Sequence, residues 1–266
     1  MTTITLAPDE HHSAFTYAVK DTLAVARRNL IGLVRTPTTV MFSTVQPIIF
    51  VLMFRYVFGG AIKVPGVPYV DYLMPGIFVQ TVTFGAMNTG IGLATDMQTG
   101  LIERFRSLPM ARSAVLGGRA LADVVRNVGV IILMIAMGFL VGFRIQTNIA
   151  AFLVAIVLLL LFGLAMSWVV ALIGLSTGNA EAAQAATFPI MALLVFASSA
   201  FVPTRSMPGP LRAYANHQPV SATINAVRAL VLGGPTLGRV VVAVAWALGI
   251  AAVFAVLATR RYRRVA

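Results

Sequence analysis

From Ile145 to Ala180 not one side chain carries a charge. A hydrocarbon layer about 30 Å thick is crossed by roughly 20 apolar helical residues, so this stretch alone holds a complete crossing. The rest of the chain repeats the pattern: 59% of its 266 residues are hydrophobic, 11% are charged and the mean hydropathy is +0.89. Ordinary globular composition is about 25% charged, and so little charge cannot clothe a water-facing surface. Lipid removes that requirement. It accepts apolar side chains and demands only that the backbone satisfy its own hydrogen bonds, as a helix does. The chain is therefore expected to be an all-α membrane protein.

The charge-free gaps delimit six transmembrane helices, at about 38–58, 72–94, 121–143, 149–172, 185–201 and 240–258. Arg55 sits near the outer end of the first, where it can snorkel beside Tyr56 and Phe58. Asp123 and Arg126 fall in the first turns of the third. On this reading every acid lies in a tail, a loop or a span end, and Gln46, Gln80 and Asn88 are the polar residues left inside. Residues 1–37 form a tail and an interfacial helix, and 38–266 form the six-span domain. Met1–His12 is polar, so no cleaved signal is expected and the first span should act as an anchor.

Six spans put both termini on one side. With the N-terminus cytoplasmic, twelve basic residues lie inside (Lys20, Arg27, Arg28, Arg35, Arg104, Arg106, Arg112, Arg119, Arg260, Arg261, Arg263, Arg264). Six lie outside, namely Lys63, Arg144, Arg205, Arg212, Arg228 and Arg239. The excess supports an inner-membrane protein with both termini in the cytoplasm. The net charge of +12 follows from this placement. Since the basic residues sit at span ends and not on a soluble face interleaved with aromatics, no nucleic-acid partner is expected.

Three segments outside the spans carry information. In Ser13–Arg35 a helical wheel puts Phe15, Val19, Leu23, Ala26, Leu30 and Leu33 on one face, while Lys20, Arg28 and Arg35 point away. Such a basic amphipathic helix, with Arg27 among its cations, suits the headgroup layer and membrane lipid; a solvated helix that anchors topology is the plainer reading. Pro37 ends it. In the loop from Asp96 to Gly118, Leu101, Phe105 and Leu108 recur at helical spacing, with Glu103, Arg104 and Arg106 opposite. Pro109 stops that helix, and Gly117-Gly118 is expected to break the chain before it re-enters the membrane. This short helix is either a knob for a partner's groove or an ordinary surface helix. The outer segment from Phe201 to Pro235 holds Pro203, Pro208, Pro210, Pro219 and Pro235 among apolar residues, which predicts a broken outer hairpin before the last span.

Much chemistry is absent from the sequence. There is no cysteine, and neither lysine, Lys20 or Lys63, follows a glycine, so no phosphate-cradling Gly-x-x-x-x-Gly-Lys loop exists. His11 and His12 lie in a polar tail and His217 is alone, so neither a metal site nor an enzyme is expected. With no ionisable group assigned to the middle of a span, ion coupling lacks a site, and an external energy source is the better expectation. Small residues at Gly163, Ser167 and Ala171, and at Ala243, Ala247, Ala251 and Ala255, mark faces for close helix packing.

Together these features resemble the type-2 ABC exporter permeases, and within them the daunorubicin-type drug exporters of actinobacteria. The resemblance rests on Glu103-Arg104-Phe105-Arg106-Ser107-Leu108-Pro109-Met110 followed by Gly118-Arg119, on Phe201-Val202-Pro203 with Met207-Pro208, and on Asn216-His217-Gln218-Pro219-Val220-Ser221 with Ala229. It covers nearly the whole chain. It implies that Leu101, Glu103, Arg104, Phe105, Arg106, Leu108 and Pro109 form a coupling helix against a cytosolic ABC ATPase, two copies per complex. It implies also that ATP and Mg are used by that partner, and that the permease pairs with a second copy or a sister permease. The cargo would be a hydrophobic or amphipathic small molecule, drug-like or lipid, exported from the cytoplasm. A cell-envelope lipid or polysaccharide permease and a non-transporting scaffold stay open as alternatives.

Overall fold

Charge-poor sequence with little but Gly and Pro to interrupt it gives helices, and the computed structural model of the protein, which describes residues 14–35, 37–62, 64–101 and 112–265, has no strand among them. Helix α1 is Ala14–Arg35. Pro37 opens α2, Pro37–Leu52, which widens into a π-helical turn over Met53–Phe58. Two nearly continuous helices follow, α3 at Tyr69–Gly85 and α4 at Met87–Gln98, and then the long α5 at Arg112–Leu140. Asn148 caps α6, Ile149–Thr177, by accepting from the Ala151 N–H, and Gly178 ends it at φ 64°. A left-handed residue without a Cβ suits that position. Asn179 likewise caps α7, Ala180–Phe196. The outer segment is broken as its prolines require, into a short 3-10 turn, α8 at Gly209–His217 and α9 at Pro219–Leu232, before α10 at Leu237–Val265.

Among the described residues, four helical stretches are long and apolar enough to cross a bilayer: Tyr69–Gln98, Gly117–Leu140, Ile149–Thr177 and Leu237–Arg264. Thr44–Phe58, Ala180–Phe196 and Pro219–Leu232 are shorter apolar helices. The core runs through α3, of which every residue from Tyr69 to Thr83 is buried. Around it pack α6, α9 and parts of α2, α5 and α7. At the periphery α10 turns Ala243 and Ala247 inward and exposes Val241, Val242 and Leu248. The small-residue faces thus serve packing within the chain, with Gly163, Ser167 and Ala171 buried as well.

The tightest crossing joins α4 to α6. A Cβ on Gly174 would lie 2.8 Å from the carbonyl carbon and 2.9 Å from the Cα of Gly90, and one on Gly90 would lie 3.1 Å from the Val170 carbonyl carbon. Backbones this close leave no room for a side chain. Gly174→Leu is expected to lower stability by roughly 3 kcal/mol or more, the upper range of overpacking, read as a drop in the thermal unfolding midpoint in detergent.

Several expected boundaries move. The helix that holds the third expected span starts well before 121: α5 begins at Arg112 and runs straight through Gly117-Gly118. Those glycines are a contact surface, since a Cβ on Gly118 would lie 2.7 Å from both Thr22 O and Val25 Cβ of α1. Asp123 and Arg126 are thereby placed inside a helix and not at its start. The second span begins at Tyr69, with Asp71 buried in its first turn and held by the Arg144 N–H at 3.0 Å. Helix α7 begins and ends earlier than 185–201, because 197–201 leaves the helix.

Candidate functional site

The junction of α3 and α4 makes the site possible. At Ala86 the helix ladder shifts: the Thr89 N–H bonds to Ala86 O at 2.9 Å. Gly85 O accepts instead from Arg126 Nη2 at 2.7 Å and from Asn88 Nδ2 at 3.3 Å. A carbonyl released from its helix in an apolar setting must find a donor, and here α5 supplies it. Arg126 also pairs with Asp123 at 3.1 Å, both side chains 9% exposed, and the Thr89 hydroxyl donates to Asp123. A buried ion pair with its remaining groups hydrogen-bonded is the arrangement in which charge survives away from water. Three elements are tied together at this point.

Two cavities share Arg126 in their walls. The outer of the two, 720 Å³, lies between α1, α4 and α5 and is lined by Arg28, Asp96, Leu101, Arg119, Asp123 and Arg126 among others. At its rim Asp96 receives Arg119 at 2.6 Å and Arg28 at 3.4 Å. The deeper cavity, 490 Å³, shares Asn88, Ile91 and Arg126 with it and extends between α2, α3, α5 and α7. Its walls are amides and aromatics: Gln46, Gln80, Asn127 and Gln184 with Phe84 and Phe188, and no carboxylate. Beyond Gln80 the bundle is solid, with Leu73, Met74, Ile77 and Phe78 no more than 2% exposed.

That solid end is bolted by Arg228 of α9. Its guanidinium carbon lies 3.7 Å from the centroid of the Tyr72 ring. Its Nη2 donates to Tyr72 O at 3.0 Å and to Ser199 O at 3.1 Å, and Nη1 to Asn225. The Tyr72 and Tyr69 hydroxyls donate to Ser199 O and Phe201 O, each at 3.0 Å, and Gln218 donates to Leu194 O and Ala197 O. The non-helical stretch at the end of α7 thus has its loose carbonyls satisfied from α3 and α9, as backbone at this depth demands. Phe201 then stacks on Phe54, ring centroids 4.3 Å apart, with Phe196 and Phe50 alongside.

The expected site residues divide. Glu103, Arg104, Phe105, Arg106, Leu108 and Pro109 lie outside the described residues; Leu101 is described and borders the outer cavity. Of the interfacial-helix residues, Phe15 lies in the first turn of α1, with its side chain outside the described part, and Val19, Lys20, Leu23 and Arg27 are exposed. The apolar face looks onto α5: Leu23, Ala26 and Leu30 line an apolar groove with Leu121 and Val125, and Val25 meets Gly118. Arg28 does not simply point away from the bundle but reaches Asp96. The Asp123–Arg126 pair and the Arg228 bolt went unrecognised in the sequence. The one local signal was the three-residue spacing of Asp123 and Arg126, which puts opposite charges on one helix face.

Residues 20–232 match the family described as ABC-2 type transporter. The chain is 33% identical over 246 residues to a daunorubicin resistance ABC transporter permease protein of Streptomyces coeruleorubidus, covering 92% of this chain and 87% of that one. It is 30% identical over 253 residues to a probable doxorubicin resistance ABC transporter permease protein of Mycobacterium tuberculosis, covering 92% and 89%. A putative transport permease of Porphyra purpurea is 26% identical over 215 residues, covering 79% and 73%.

Proposed function

The chain belongs to the ABC-2 type transporter family and is a multi-pass membrane protein, and from that premise we propose that it is the permease subunit of an ATP-driven exporter of hydrophobic or amphipathic small molecules. Its six crossings would be α2 with its π turn, α3–α4, α5, α6, α7 and α10, with both termini in the cytoplasm of the inner membrane. A cytosolic ABC ATPase, two copies per complex, would use ATP and Mg, and a second permease would complete the pathway. The observation that carries the reading is the pair of neighbouring cavities that share Arg126 in their walls, with the bundle packed solid toward the Tyr72–Arg228 end. A cavity that enters the bundle and stops at a packed end is what one state of an alternating-access device would use. The names of the relatives point to drug-like cargo.

Coupling would run through residues 101–109. Leu101 follows α4 closely, and α4 carries Asp96, which holds α5 through Arg119 and α1 through Arg28. A push on the loop would therefore be shared by three helices, biasing one arrangement over another through differential contacts. Phe105→Ala and Glu103→Ala are expected to leave membrane insertion intact while uncoupling ATP hydrolysis from transport. The measurement is ATP-dependent efflux of a fluorescent anthracycline from proteoliposomes holding the permease and its ATPase. Wild-type efflux by both variants removes the loop from the mechanism, and efflux at full rate without any ATPase removes the exporter reading itself.

A further inference from the structure

Helix α1 is too rich in charge to cross a bilayer, yet it packs along α5, which is apolar enough to do so. Between the two an open apolar groove of 540 Å³ is left unfilled. Its walls are Leu23, Ala26, Leu30 and Ile31 of α1 with Leu121 and Val125 of α5. Leu23 is 53% exposed and Val125 47%, so the groove is reached from outside the bundle. Among the described residues that line it, Arg27 and Arg35 alone carry charge, and both are exposed. Leu23, Arg27, Ile31 and Arg35 follow at four-residue steps and make one row along the helix. The two arginines therefore stand two turns apart, about 12 Å of helix rise, on one edge of the groove. Among the described residues the ion pairs are made by Arg28, Arg119 and Arg126, which leaves Arg27 and Arg35 without a carboxylate. From Val125 the apolar lane continues along α5 through the exposed Val128 and Ile132, inside its membrane-crossing stretch.

We propose that this groove binds one anionic diacyl phospholipid, an acyl chain lying against Leu121, Val125 and Ile132 while Arg27 and Arg35 hold the phosphate end. A guanidinium fork matches phosphate oxygens with paired N–H donors, and its alkyl stem can lie along an apolar wall. A zwitterionic headgroup would bring an ammonium to the same two cations, so a headgroup of net negative charge is favoured. A free phosphate would meet the arginines but leave the groove empty, and a neutral chain would fill the groove but leave both cations unmatched. An interfacial helix of this kind attracts anionic lipid in general; the wall supplied by α5 turns that attraction into a single site. The bound lipid would bridge α1 and α5 beside their contact at Gly118. The site is independent of the exporter reading, since it requires only that α5 cross a membrane.

The test is native mass spectrometry of the full-length protein in dodecylmaltoside, titrated with dioleoylphosphatidylglycerol, dioleoylphosphatidylcholine or glycerophosphoglycerol. Wild type is expected to bind the first phosphatidylglycerol about tenfold more tightly than phosphatidylcholine. Glycerophosphoglycerol, the same headgroup without chains, is expected not to be retained. Arg27→Gln/Arg35→Gln is expected to bring the two lipids within about twofold of each other. Val125→Trp fills the groove from a position that is 47% exposed, and it is expected to weaken the first phosphatidylglycerol without disturbing the fold. A chain of net charge +12 also attracts anionic lipid diffusely. Arg263→Gln/Arg264→Gln removes equal charge from the exposed end of α10 and is expected to keep the preference for phosphatidylglycerol. Loss of the preference in that control as complete as in the groove pair overturns the proposal, because the attraction is then diffuse. Retention of glycerophosphoglycerol as tight as that of the lipid overturns it too, as does wild-type binding of the first phosphatidylglycerol by Val125→Trp.

Discussion

Asp123→Leu, with Arg126 left in place, is expected to destabilise the protein by roughly 3–5 kcal/mol, the cost of leaving one member of a buried ion pair uncompensated. Arg126 would keep Gly85 O as a partner but lose Asp123, while its side chain stays 9% exposed. The Thr89 hydroxyl, which donates to Asp123, would lose its acceptor too. The expected readout is loss of the monodisperse peak in size-exclusion chromatography and a lower thermal midpoint. Asp123→Asn/Arg126→Gln is expected to recover most of the loss, since two neutral amides can still bond to each other and to Gly85 O. If Asp123→Leu alone unfolds at the wild-type temperature, the pair does not hold α4 to α5.

Arg228→Met is the second large effect. The side chain keeps its length but loses a cation held 3.7 Å above the Tyr72 ring and the donors to Tyr72 O and Ser199 O. A desolvated cation–π contact is worth about 2 kcal/mol, and hydrogen bonds from a charged donor add about 1.5–3 kcal/mol, although Ser199 O keeps the Tyr72 hydroxyl as a donor. A total loss of roughly 3 kcal/mol or more is expected, concentrated where 197–201 meets α3 and α9. Limited proteolysis should show new cleavage around Arg205, on the exposed turn next to that joint. Arg228→Lys is expected to recover only part of it, since an ammonium has no planar fork to serve two carbonyls and a ring together. Equal protease resistance in Arg228→Met and wild type would show that the joint is held without the guanidinium.

The helices that face lipid were the easiest to read. The span expected at 149–172 is α6, Ile149–Thr177, and the last, expected at 240–258, lies within α10, Leu237–Val265. There the rule that charge marks a boundary holds, because an unpaired charge cannot sit against hydrocarbon. The same rule did not find where α5 starts. It put Asp123 and Arg126 in the first turns of a span, whereas they neutralise each other three turns into the helix. Gly117-Gly118 misled for a related reason: glycine breaks a helix in isolation, but here its missing Cβ is what lets α1 press against α5. Gln46, Gln80 and Asn88 stood out as polar residues within spans, and all three line the deeper cavity. Their convergence could not be read from spacing along the chain, since they come from three different helices.

What the amino-acid order settles alone is the solvent and the secondary structure, because both follow from local quantities: apolar length, missing charge, and the stops at Pro37, Gly178 and Pro219. Which charges may be buried is not local. Thr89 meets Asp123 across 34 residues and Arg228 meets Tyr72 across 156, and each charge is tolerable only once its distant partner has arrived. The cavities and the packed end exist through those pairings, so tertiary packing decided them. A buried charge is stabilised by neighbours in space, and sequence lists neighbours only along the chain.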